Sequence, residues 1–415
     1  MTRPMDRSST LDLPSRDAGE TRAQPGRFIY IAVPWTPVGG GMFKVADYLI
    51  QSQAAAEGGP VLRPLDTRGS GNAAASLLQV LRAVVQLARA RLGGQLAGVH
   101  VNMAERLDFV RESLVLVACR ALGIPTVLHL HAAQLHHSYA RLPRPLQALV
   151  RWIFSLPRAC VVLGQVSAAF VTRDLRVPAE RVEVVINGVP DPAVPRRRAR
   201  EREAFQVLFV GNLSERKGVA DLLQALAQPA LARLPLRLTL AGGGDTAGYA
   251  AHAERLRVAH RVHFHGWADQ AQLGRLLAEA DALVLPSYDE GLPLAILEAL
   301  AHGVAVVCTP VGEIPHVLAH LRDAVFVEPG DPASIARGLG QVLAEPELRE
   351  RLEHNGRALH EARFSLARFS AAIARIHQRH FGLSAQSAPA PDAPAQPRGA
   401  APRRPREAPA GGIAP

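Results

Sequence analysis

The sequence predicts two α/β domains, each built on a parallel β-sheet that is covered by helices on both faces. Three observations predict this class. Short apolar runs alternate with helical patterns along the chain, an order that is typical of parallel sheets. The length of 415 residues suits two domains of ordinary size. The apolar content of 48% is enough for two hydrophobic cores.

The first predicted domain spans residues 27–190 and the second spans residues 204–363. In the first, strands are expected at 28–33, 99–101, 126–130, 160–163 and 182–186, one more ends at Asp66, and helices lie near 41–56, 73–92 and 106–122. In the second, strands are expected at 205–210, 236–241, 262–265, 282–285, 304–308 and 325–327.

The remaining segments are interpreted from their composition. Residues 191–203 hold prolines and an arginine cluster and are predicted to link the domains. Residues 364–383 are predicted to form a C-terminal helix that crosses back to the first domain. Residues 1–26 are polar and residues 384–415 contain eight prolines, so both are predicted to be disordered.

The formal net charge of +10 indicates an anionic partner. We find no nucleic-acid-binding signature, so we expect no nucleic acid, but a phosphate-bearing substrate and an anionic membrane surface. Cys119, Cys160 and Cys308 lie in apolar runs without a pairing pattern, which is typical of a reducing compartment. Without a signal peptide or a transmembrane stretch, the predicted location is the cytoplasm, or peripheral on the inner membrane face.

The most informative segment is residues 286–300, which follows the apolar run 282–285. The run predicts a buried strand, and Gly291 with a nearby proline predicts a turn into a helix. Glu290 then ends the strand and Glu298 lies in the helix, roughly 12 Å away along its axis. Two carboxylates at this separation suit the two ends of one elongated ligand. The alternative is a surface helix with ordinary glutamates.

The ligand that fits such a segment is a nucleotide sugar. Carboxylates accept hydrogen bonds from sugar hydroxyls, and a helix start offers unpaired N–H groups to phosphate. A second strand, at 207–210, leads through Gly211 to Arg216 and Lys217, which stand before another helical pattern. The chain has 47 lysines and arginines but only two lysines, Lys44 and Lys217, and both follow a glycine-containing loop. This pattern predicts a diphosphate site.

These two segments resemble the signature of glycosyltransferase family 4, whose members are retaining sugar transferases of the GT-B fold. The resemblance covers roughly residues 27–381 and implies two Rossmann-like domains that face each other across a cleft. The residues that match the family pattern are Gly211, Arg216, Lys217, Gly218, Glu290, Gly291, Glu298, Ala299 and Gly303.

The resemblance implies transfer of a sugar, with retention, from a UDP- or GDP-linked donor to a glycan or polyprenyl-linked glycan in bacterial surface polysaccharide or lipopolysaccharide synthesis. The leaving phosphate helps to deprotonate the acceptor, so no protein nucleophile is assigned. Since the chain has no Asp-x-Asp pair, no metal or other cofactor is expected. The residues assigned to catalysis are Arg216, Lys217, Glu290 and His131. The donor-binding set adds Gly40, Gly41, Gly211, Gly266, Trp267, Gly291, Leu292 and Glu298.

The first domain is expected to supply the acceptor side. Its glycine loop at 39–41 allows close approach to phosphates, and Lys44 is predicted to contact a phosphate or the acceptor. Glu105 and Arg111 are predicted to line the acceptor side. His131 ends a strand, on the same face of that strand as His129; the alternatives are a structural histidine or a metal ligand.

Four alternatives stay open at this point. Residues 141–154 mix arginines with large apolar residues, which indicates a membrane-surface helix or an ordinary helix packed on the sheet. A nucleotide-sugar epimerase could use the same fold. Asp66 keeps a nicotinamide-dependent oxidoreductase open. A non-catalytic binding subunit is the fourth alternative, although the intact motif counts against it.

Overall fold

The structure is a computed structural model that describes residues 27–35, 40–54, 60–105, 107–132, 134–194 and 203–383. The predictions made for residues 1–26 and 384–415, for Gly39 and for the linker arginines between 196 and 202 lie outside these residues. Within the described ranges, no helix combines the length and the apolarity that crossing a bilayer requires.

The first sheet contains six parallel strands. They are β1 (Phe28–Val33), β2 (Val61–Asp66), β3 (Leu96–Met103), β4 (Thr126–Leu130), β5 (Ala159–Val162) and β6 (Val182–Val184). Their order across the sheet is β2-β1-β3-β4-β5-β6. The order reverses between β1 and β3, so this is the switch point of the first domain.

The second sheet also contains six parallel strands. They are β7 (Phe205–Val210), β8 (Leu236–Ala241), β9 (Val262–Gly266), β10 (Ala282–Leu285), β11 (Ala305–Cys308) and β12 (Val325–Phe326). Their order is β12-β11-β10-β7-β8-β9. This is the doubly wound order that binds nucleotides where it reverses, here between β7 and β10. The predicted fold class of two parallel-sheet α/β domains is confirmed.

Helices connect the strands and cover both sheets. In the first part of the chain they are α1 (Gly41–Ala54), α2 (Ala73–Leu92), α3 (Leu107–Ala121), α4 (Leu135–Ala140), α5 (Arg144–Ser155) and α6 (Gln165–Arg173). After residue 203 they are α7 (Val219–Leu226), α8 (Pro229–Ala232), α9 (Thr246–Arg255), α10 (Gln270–Glu279), α11 (Leu294–Ala301), α12 (Ile314–Val317), α13 (Pro332–Ala344), α14 (Pro346–Leu359) and α15 (Leu366–Phe381).

The helices of the first domain divide between the two faces of its sheet. One apolar cluster joins Tyr30 to buried residues of α2, α3 and α5, such as Leu87, Leu116 and Phe154. The neighbouring strand residue, Ile31, belongs to the cluster that includes α1 and α15. This division follows from the pleat of β1, because successive side chains point to opposite faces. It places α2, α3 and α5 side by side on one outer face.

The last helix, α15, packs on the first domain. Phe381 lies against Gly98 of β3, where a Cβ atom would stand 2.4 Å from its ring. His377 in the same helix contacts the His100 ring of β3 over 2.8 Å between Nε2 and Nδ1. The chain thus returns to its first sheet after it completes the second.

Candidate active site

Two loops leave the second sheet at its switch point. Residues 211–218 follow β7 and residues 286–293 follow β10. The loops touch at Gly218, whose φ is +67° and where a Cβ atom would lie 2.2 Å from the carbonyl oxygen of Pro286. Only glycine adopts this backbone conformation easily and allows so close an approach. The cationic pair and the first glutamate of the predicted motif are therefore brought to one place.

Glu290 lies where the two loops meet and contacts both cations. Its buried carboxylate forms an ion pair with the Lys217 ammonium and accepts a hydrogen bond from Ser287 Oγ at 2.7 Å. The Arg216 guanidinium lies 3.7 Å from the other carboxylate oxygen and donates to the carbonyl oxygen of Asp289 at 2.6 Å. The carboxylate thus bridges both cations. Two cations and one carboxylate at a switch point leave a net positive site, which suits a diphosphate.

Lys217 has donors to spare in this arrangement. An ammonium carries three N–H donors, and the ion pair with Glu290 uses one of them. Gly211 lies beside the lysine stem, where a Cβ atom would stand 3.5 Å from Lys217 Cε, in ordinary van der Waals contact. The carboxylate partner thus holds the lysine in place and uses one of its three N–H donors.

Glu298 is engaged by the other domain. Its carboxylate oxygen Oε1 accepts from Lys44 Nζ at 3.0 Å and from the Tyr48 hydroxyl at 3.1 Å, and both donors lie on α1. Burial beside Glu298 raises the pKa of Tyr48, chiefly by desolvation and then by the carboxylate's charge. Lys44, predicted to contact phosphate or acceptor, thus holds an acidic side chain across the cleft. Tyr48 was missed, although its spacing of four residues from Lys44 places both on one helix face.

Glu313 makes a second link between the domains, and sequence reasoning missed it. Its buried carboxylate accepts from the backbone N–H of Ser167 at 2.9 Å and from Ser167 Oγ at 3.1 Å, at the start of α6. Its own N–H donates to the carbonyl oxygen of Gly291 over 3.0 Å. Carboxylates stabilise helix N-termini, so Glu313 ties the loop after β10 to the first domain. Nothing in its local sequence indicates a partner 146 residues away.

His131 lies at the carboxyl end of β4. Its Nε2 is 2.9 Å from Asn102 Oδ1, and the Asn102 amide nitrogen donates to the carbonyl oxygen of Ala32 at 3.2 Å. Since the Asn102 amide nitrogen donates to Ala32, the Asn102 Oδ1 faces His131 and accepts from the Nε2–H of its ring. The Nδ1 of His131 is then the acceptor nitrogen of the ring. Burial and then the neighbouring His100 lower the pKa of His131 to about 3. The imidazole is therefore neutral near pH 7.

Other histidines continue from His131 into the core. His129 Nδ1 lies 3.3 Å from His100 Nε2, and His100 Nδ1 lies 2.8 Å from His377 Nε2 in α15. Burial lowers the pKa of His100 to about 3 and also lowers those of His129 and His377. Among the described residues, no three His, Cys, Asp or Glu side chains are arranged to hold a metal ion. These histidines are packed in their neutral form.

The other predicted residues of the first domain have local partners. Glu105 accepts from the backbone N–H of Gln134, and Arg111 pairs with Asp108 one turn earlier on α3. Desolvation by burial lowers the pKa of Arg111. The Asp66 carboxylate accepts from loop N–H groups, that of Trp35 among them at 3.0 Å. It supports its own loop.

The predicted glycines and their neighbours lie around the cleft. Gly41 starts α1 beside α11, and a Cβ atom at Gly41 would lie 3.5 Å from Leu294 Cδ1. Gly40 has open space around it. Gly291 faces Leu163 of the first domain, while Leu292 is buried beside it.

One predicted donor contact, Gly266–Trp267, lies apart from the ion-pair cluster. Gly266 ends β9 at the far edge of the second sheet, with a φ of +77°. Trp267 is 44% exposed. Gly242 at the end of β8 donates its N–H to the carbonyl oxygen of Gly266 at 2.7 Å, so this turn continues the same cleft-facing edge.

The chain resembles known glycosyltransferases along most of its length. Residues 71–191 match the family described as Glycosyltransferase Family 4, and residues 192–359 match Glycosyl transferases group 1. An uncharacterized glycosyltransferase of Methanocaldococcus jannaschii is 31% identical over 193 residues, which are 43% of this chain and 49% of that protein. A D-inositol 3-phosphate glycosyltransferase of Segniliparus rotundus is 32% identical over 265 residues, 59% of this chain and 58% of the relative. The chain thus aligns with about half the length of these relatives.

Solved structures agree with the fold. Anabaena HepE, in complex with UDP and glucose, superposes with a TM-score of 0.68 at 18% identity and covers 85% of this chain and 100% of its own. WaaG, a glycosyltransferase involved in lipopolysaccharide biosynthesis, gives 0.63 at 17% identity, with 84% and 99% covered. Fold, motif and matches together define a glycosyltransferase with the GT-B architecture. The two family matches together span residues 71–359, so the chain belongs to the glycosyltransferases described as Family 4 and group 1.

Proposed function

We propose that this protein is a retaining transferase that moves a sugar from a UDP- or GDP-linked donor to a glycan or lipid-linked glycan, in bacterial surface polysaccharide synthesis. The observation that supports this most is the ion-pair cluster of Glu290, Lys217 and Arg216 at the switch point of the second sheet. Family membership makes the donor a nucleotide sugar. Two structural neighbours, WaaB and WaaG, are glycosyltransferases of lipopolysaccharide synthesis, and they favour a glycan acceptor.

In this proposal the donor diphosphate binds Lys217 and Arg216. As the bond to the sugar breaks, negative charge grows on the diphosphate, and the spare donors of Lys217 strengthen their hydrogen bonds to it. Each charge-assisted hydrogen bond contributes about 1.5–3 kcal/mol. Glu290 keeps the lysine in position and accepts from hydroxyls of the donor sugar. In this proposal the protein cations stabilise the leaving diphosphate, a role that a divalent ion has in other enzymes. Turnover is therefore independent of added metal.

Glu298 is proposed to hold the ribose of the nucleotide. Its Oε1 already accepts from Lys44 and Tyr48, and its Oε2 has lone pairs that can accept from ribose hydroxyls. Binding of the nucleotide at Glu298 would then affect the contact between the domains, because the same carboxylate is held by Lys44 and Tyr48. The glycines at 40–41, 211, 266 and 291, together with Leu292 and Trp267, are proposed to form the walls of the donor site.

His131 is proposed to face the reacting side of the sugar, with Glu105 and Arg111 further out on the acceptor side. A neutral imidazole with a fixed Nε2–H offers its Nδ1 as an acceptor to a sugar hydroxyl. We assign no protein nucleophile, and the leaving phosphate takes the acceptor proton. A lipid-linked acceptor would bring the enzyme to the cytoplasmic face of the membrane. No nucleic acid takes part.

The test is a donor screen followed by product analysis. Purified protein is heated with a panel of nucleotide sugars to find the donor that raises its melting temperature, and that donor is then incubated with lipid-linked acceptors. Mass spectrometry should detect an acceptor extended by one sugar, with the anomeric configuration of the donor. Sugar transfer with inversion, or no transfer with any stabilising donor, would contradict the proposal.

Incubation with the donor alone, without acceptor, distinguishes the proposed transferase from the alternative functions. An epimerase converts the nucleotide sugar without acceptor, whereas the proposed transferase leaves it unchanged or hydrolyses it slowly. A binding subunit leaves donor and acceptor unchanged. A nicotinamide enzyme would change the absorbance of its cofactor, and family membership counts against it.

A further inference from the structure

Helix α2 exposes an apolar stripe on the side that faces away from the sheet. Leu77, Leu78, Leu81 and Val85 are about half exposed, at 54, 49, 56 and 49%. The opposite side of the same helix packs in the core through Leu87 and others. A surface helix of a globular domain normally carries polar residues on its outer side. An apolar outer stripe therefore indicates that something covers it.

The neighbouring helices repeat this feature. Besides five exposed large apolar residues on α2, three lie on α3 and three on α5. Those on α3 are Leu107, Val110 and Leu114, and those on α5 are Leu146, Leu149 and Trp152. Helix α3 packs against both α2 and α5. The outward sides of the three helices form one continuous surface, called here the outer face.

The charged side chains that α2 and α5 contribute to the outer face are all arginines. Arg82, Arg89 and Arg144 are exposed on α2 and α5, and neither helix contains an aspartate or glutamate. The two acidic residues of α3 are engaged: Asp108 pairs with Arg111, and Glu112 is buried and accepts from Thr67. The outer face thus combines apolar side chains with arginines.

An open groove of about 760 Å³ runs along α2. Its walls include Leu78, Leu81 and Val85 on one side and Phe28 on the other, with the Arg63 guanidinium stacked 4.2 Å over the Phe28 ring. Apolar walls and a cationic rim suit a chain that is apolar at one end and anionic at the other, such as a lipid.

We propose that the outer face docks this protein on a bilayer that contains anionic lipids. Apolar side chains that insert shallowly, with arginines beside them, are the features that bind a membrane surface. Trp152 suits the interface between headgroups and hydrocarbon. A second copy of the chain fits less well, because a twofold dimer through this face would set arginines against arginines without acidic partners. This inference goes beyond the proposed transfer reaction and needs neither donor nor acceptor.

The position of the outer face connects docking to the cleft. Helices α2 and α3 begin after the carboxyl ends of β2 and β3, and α5 follows β4 through the short helix α4. The carboxyl ends of the strands line the cleft in an α/β sheet. The outer face therefore reaches the cleft rim, where a glycan on a lipid anchor would have to enter.

Vesicle co-sedimentation tests the docking surface directly. The full chain is mixed with vesicles of phosphatidylcholine, alone or with about 30% phosphatidylglycerol, without substrates. Binding should be at least tenfold stronger to the anionic vesicles and should fall about tenfold at roughly 0.5 M salt. No difference between the two vesicle types would overturn the proposal.

Matched variants locate the surface. Leu81→Glu, and separately the pair Arg82→Glu with Arg89→Glu, should each weaken binding to anionic vesicles at least tenfold. The control is Arg275→Glu with Arg337→Glu, which reverses two exposed arginines on the second domain and should change binding less than threefold. Unchanged melting temperatures show that the variants fold. Wild-type binding by both outer-face variants would overturn the proposal.

Two further readouts distinguish the other occupants. The fluorescence of Trp152, isolated as the difference between wild type and Trp152→Phe, should shift to shorter wavelength on anionic vesicles. Sedimentation velocity should show the same mass for wild type and Leu81→Glu. A dimer that Leu81→Glu dissociates would instead make the outer face an interface between copies and contradict the membrane proposal.

Discussion

The two domains contain sheets of equal strand number but distribute charged and apolar side chains in opposite ways. In the second domain, the cations of residues 216–217 meet Glu290 at the cleft edge. Of its described residues 203–383, only Trp267, Tyr288 and Leu321 are exposed large apolar residues. The first domain instead carries buried neutral histidines near the cleft and an apolar, arginine-rich outer face. Two domains of one architecture thus present different surfaces: a charged cleft edge, proposed to bind a phosphate-bearing donor, and an apolar face with arginines, proposed to bind a lipid surface.

If the second domain alone grips the donor diphosphate, Lys217→Ala should have the largest effect. Loss of its charge-assisted hydrogen bonds should lower kcat/KM roughly 100-fold, which corresponds to about 2.7 kcal/mol. Vesicle binding should be unchanged, because the outer face is intact. Initial rates at saturating acceptor measure the effect. Arg337→Ala, which removes an exposed cation of the same domain, is the control, and an equal loss in both variants would remove the special role of Lys217.

The histidines of the first domain should make its stability fall in acid. The pKa of His100 is about 3 in the fold and near 6.5 when unfolded. Since the folded pKa is the lower one, the unfolded state binds more protons below pH 6.5. Stability is therefore complete above pH 6.5 and is lost as pH falls towards 3. By linkage, His100 alone should cost about 2 kcal/mol between pH 7 and pH 5.

Thermal unfolding across this pH range measures that loss. The melting temperature should fall steadily below pH 6.5, and substitution of the exposed His354 by glutamine should leave the slope unchanged. A melting temperature that stays level from pH 7 to pH 5 would show that the buried histidines are not held neutral.

Glu298 lies where the two domains meet, so its substitution tests the donor site and the contact between the domains together. Glu298→Gln should weaken nucleotide binding about tenfold, or ~1.4 kcal/mol, if the carboxylate accepts from ribose hydroxyls. Lys44→Ala removes its partner across the cleft, and calorimetry on both single variants and the double variant gives their coupling. Wild-type nucleotide affinity in Glu298→Gln would refute the ribose assignment.

The smallest expected effect is that of metal removal. Because protein cations are proposed to stabilise the leaving diphosphate, EDTA should change the initial rate less than about twofold. Magnesium added back in excess serves as the control. Loss of turnover in EDTA that magnesium restores would contradict metal-independent transfer.

The sequence predicted the second domain better than the contacts between domains. Its strands are continuous apolar runs, and a doubly wound sheet places the loops after the two strands at its switch point side by side. That is why Glu290 beside Lys217 was predictable. The partners of Glu298 and Glu313 were not, because they lie on another domain, and one sequence does not contain the relative placement of two sheets. Asn102, which orients His131, reads as one more strand residue.

The outer face was predictable only in part. Residues 141–154 combine arginines with large apolar residues. One side of α5 packs on the sheet, and the membrane-surface interpretation stays a prediction for its other side. Phe154 packs in the core while Trp152 is 48% exposed. The sequence of α2 has the pattern of an ordinary buried helix. Periodicity shows how many positions are apolar, but it does not show which of them are covered by other elements.

The most direct test of the central claim is a crystal structure of the protein soaked with its nucleotide sugar in the presence of EDTA. The diphosphate should lie at the switch point of the second sheet, with an oxygen about 3 Å from Lys217 Nζ and Arg216 beside it. A diphosphate bound elsewhere, or bound only when a divalent ion is added, would contradict the account.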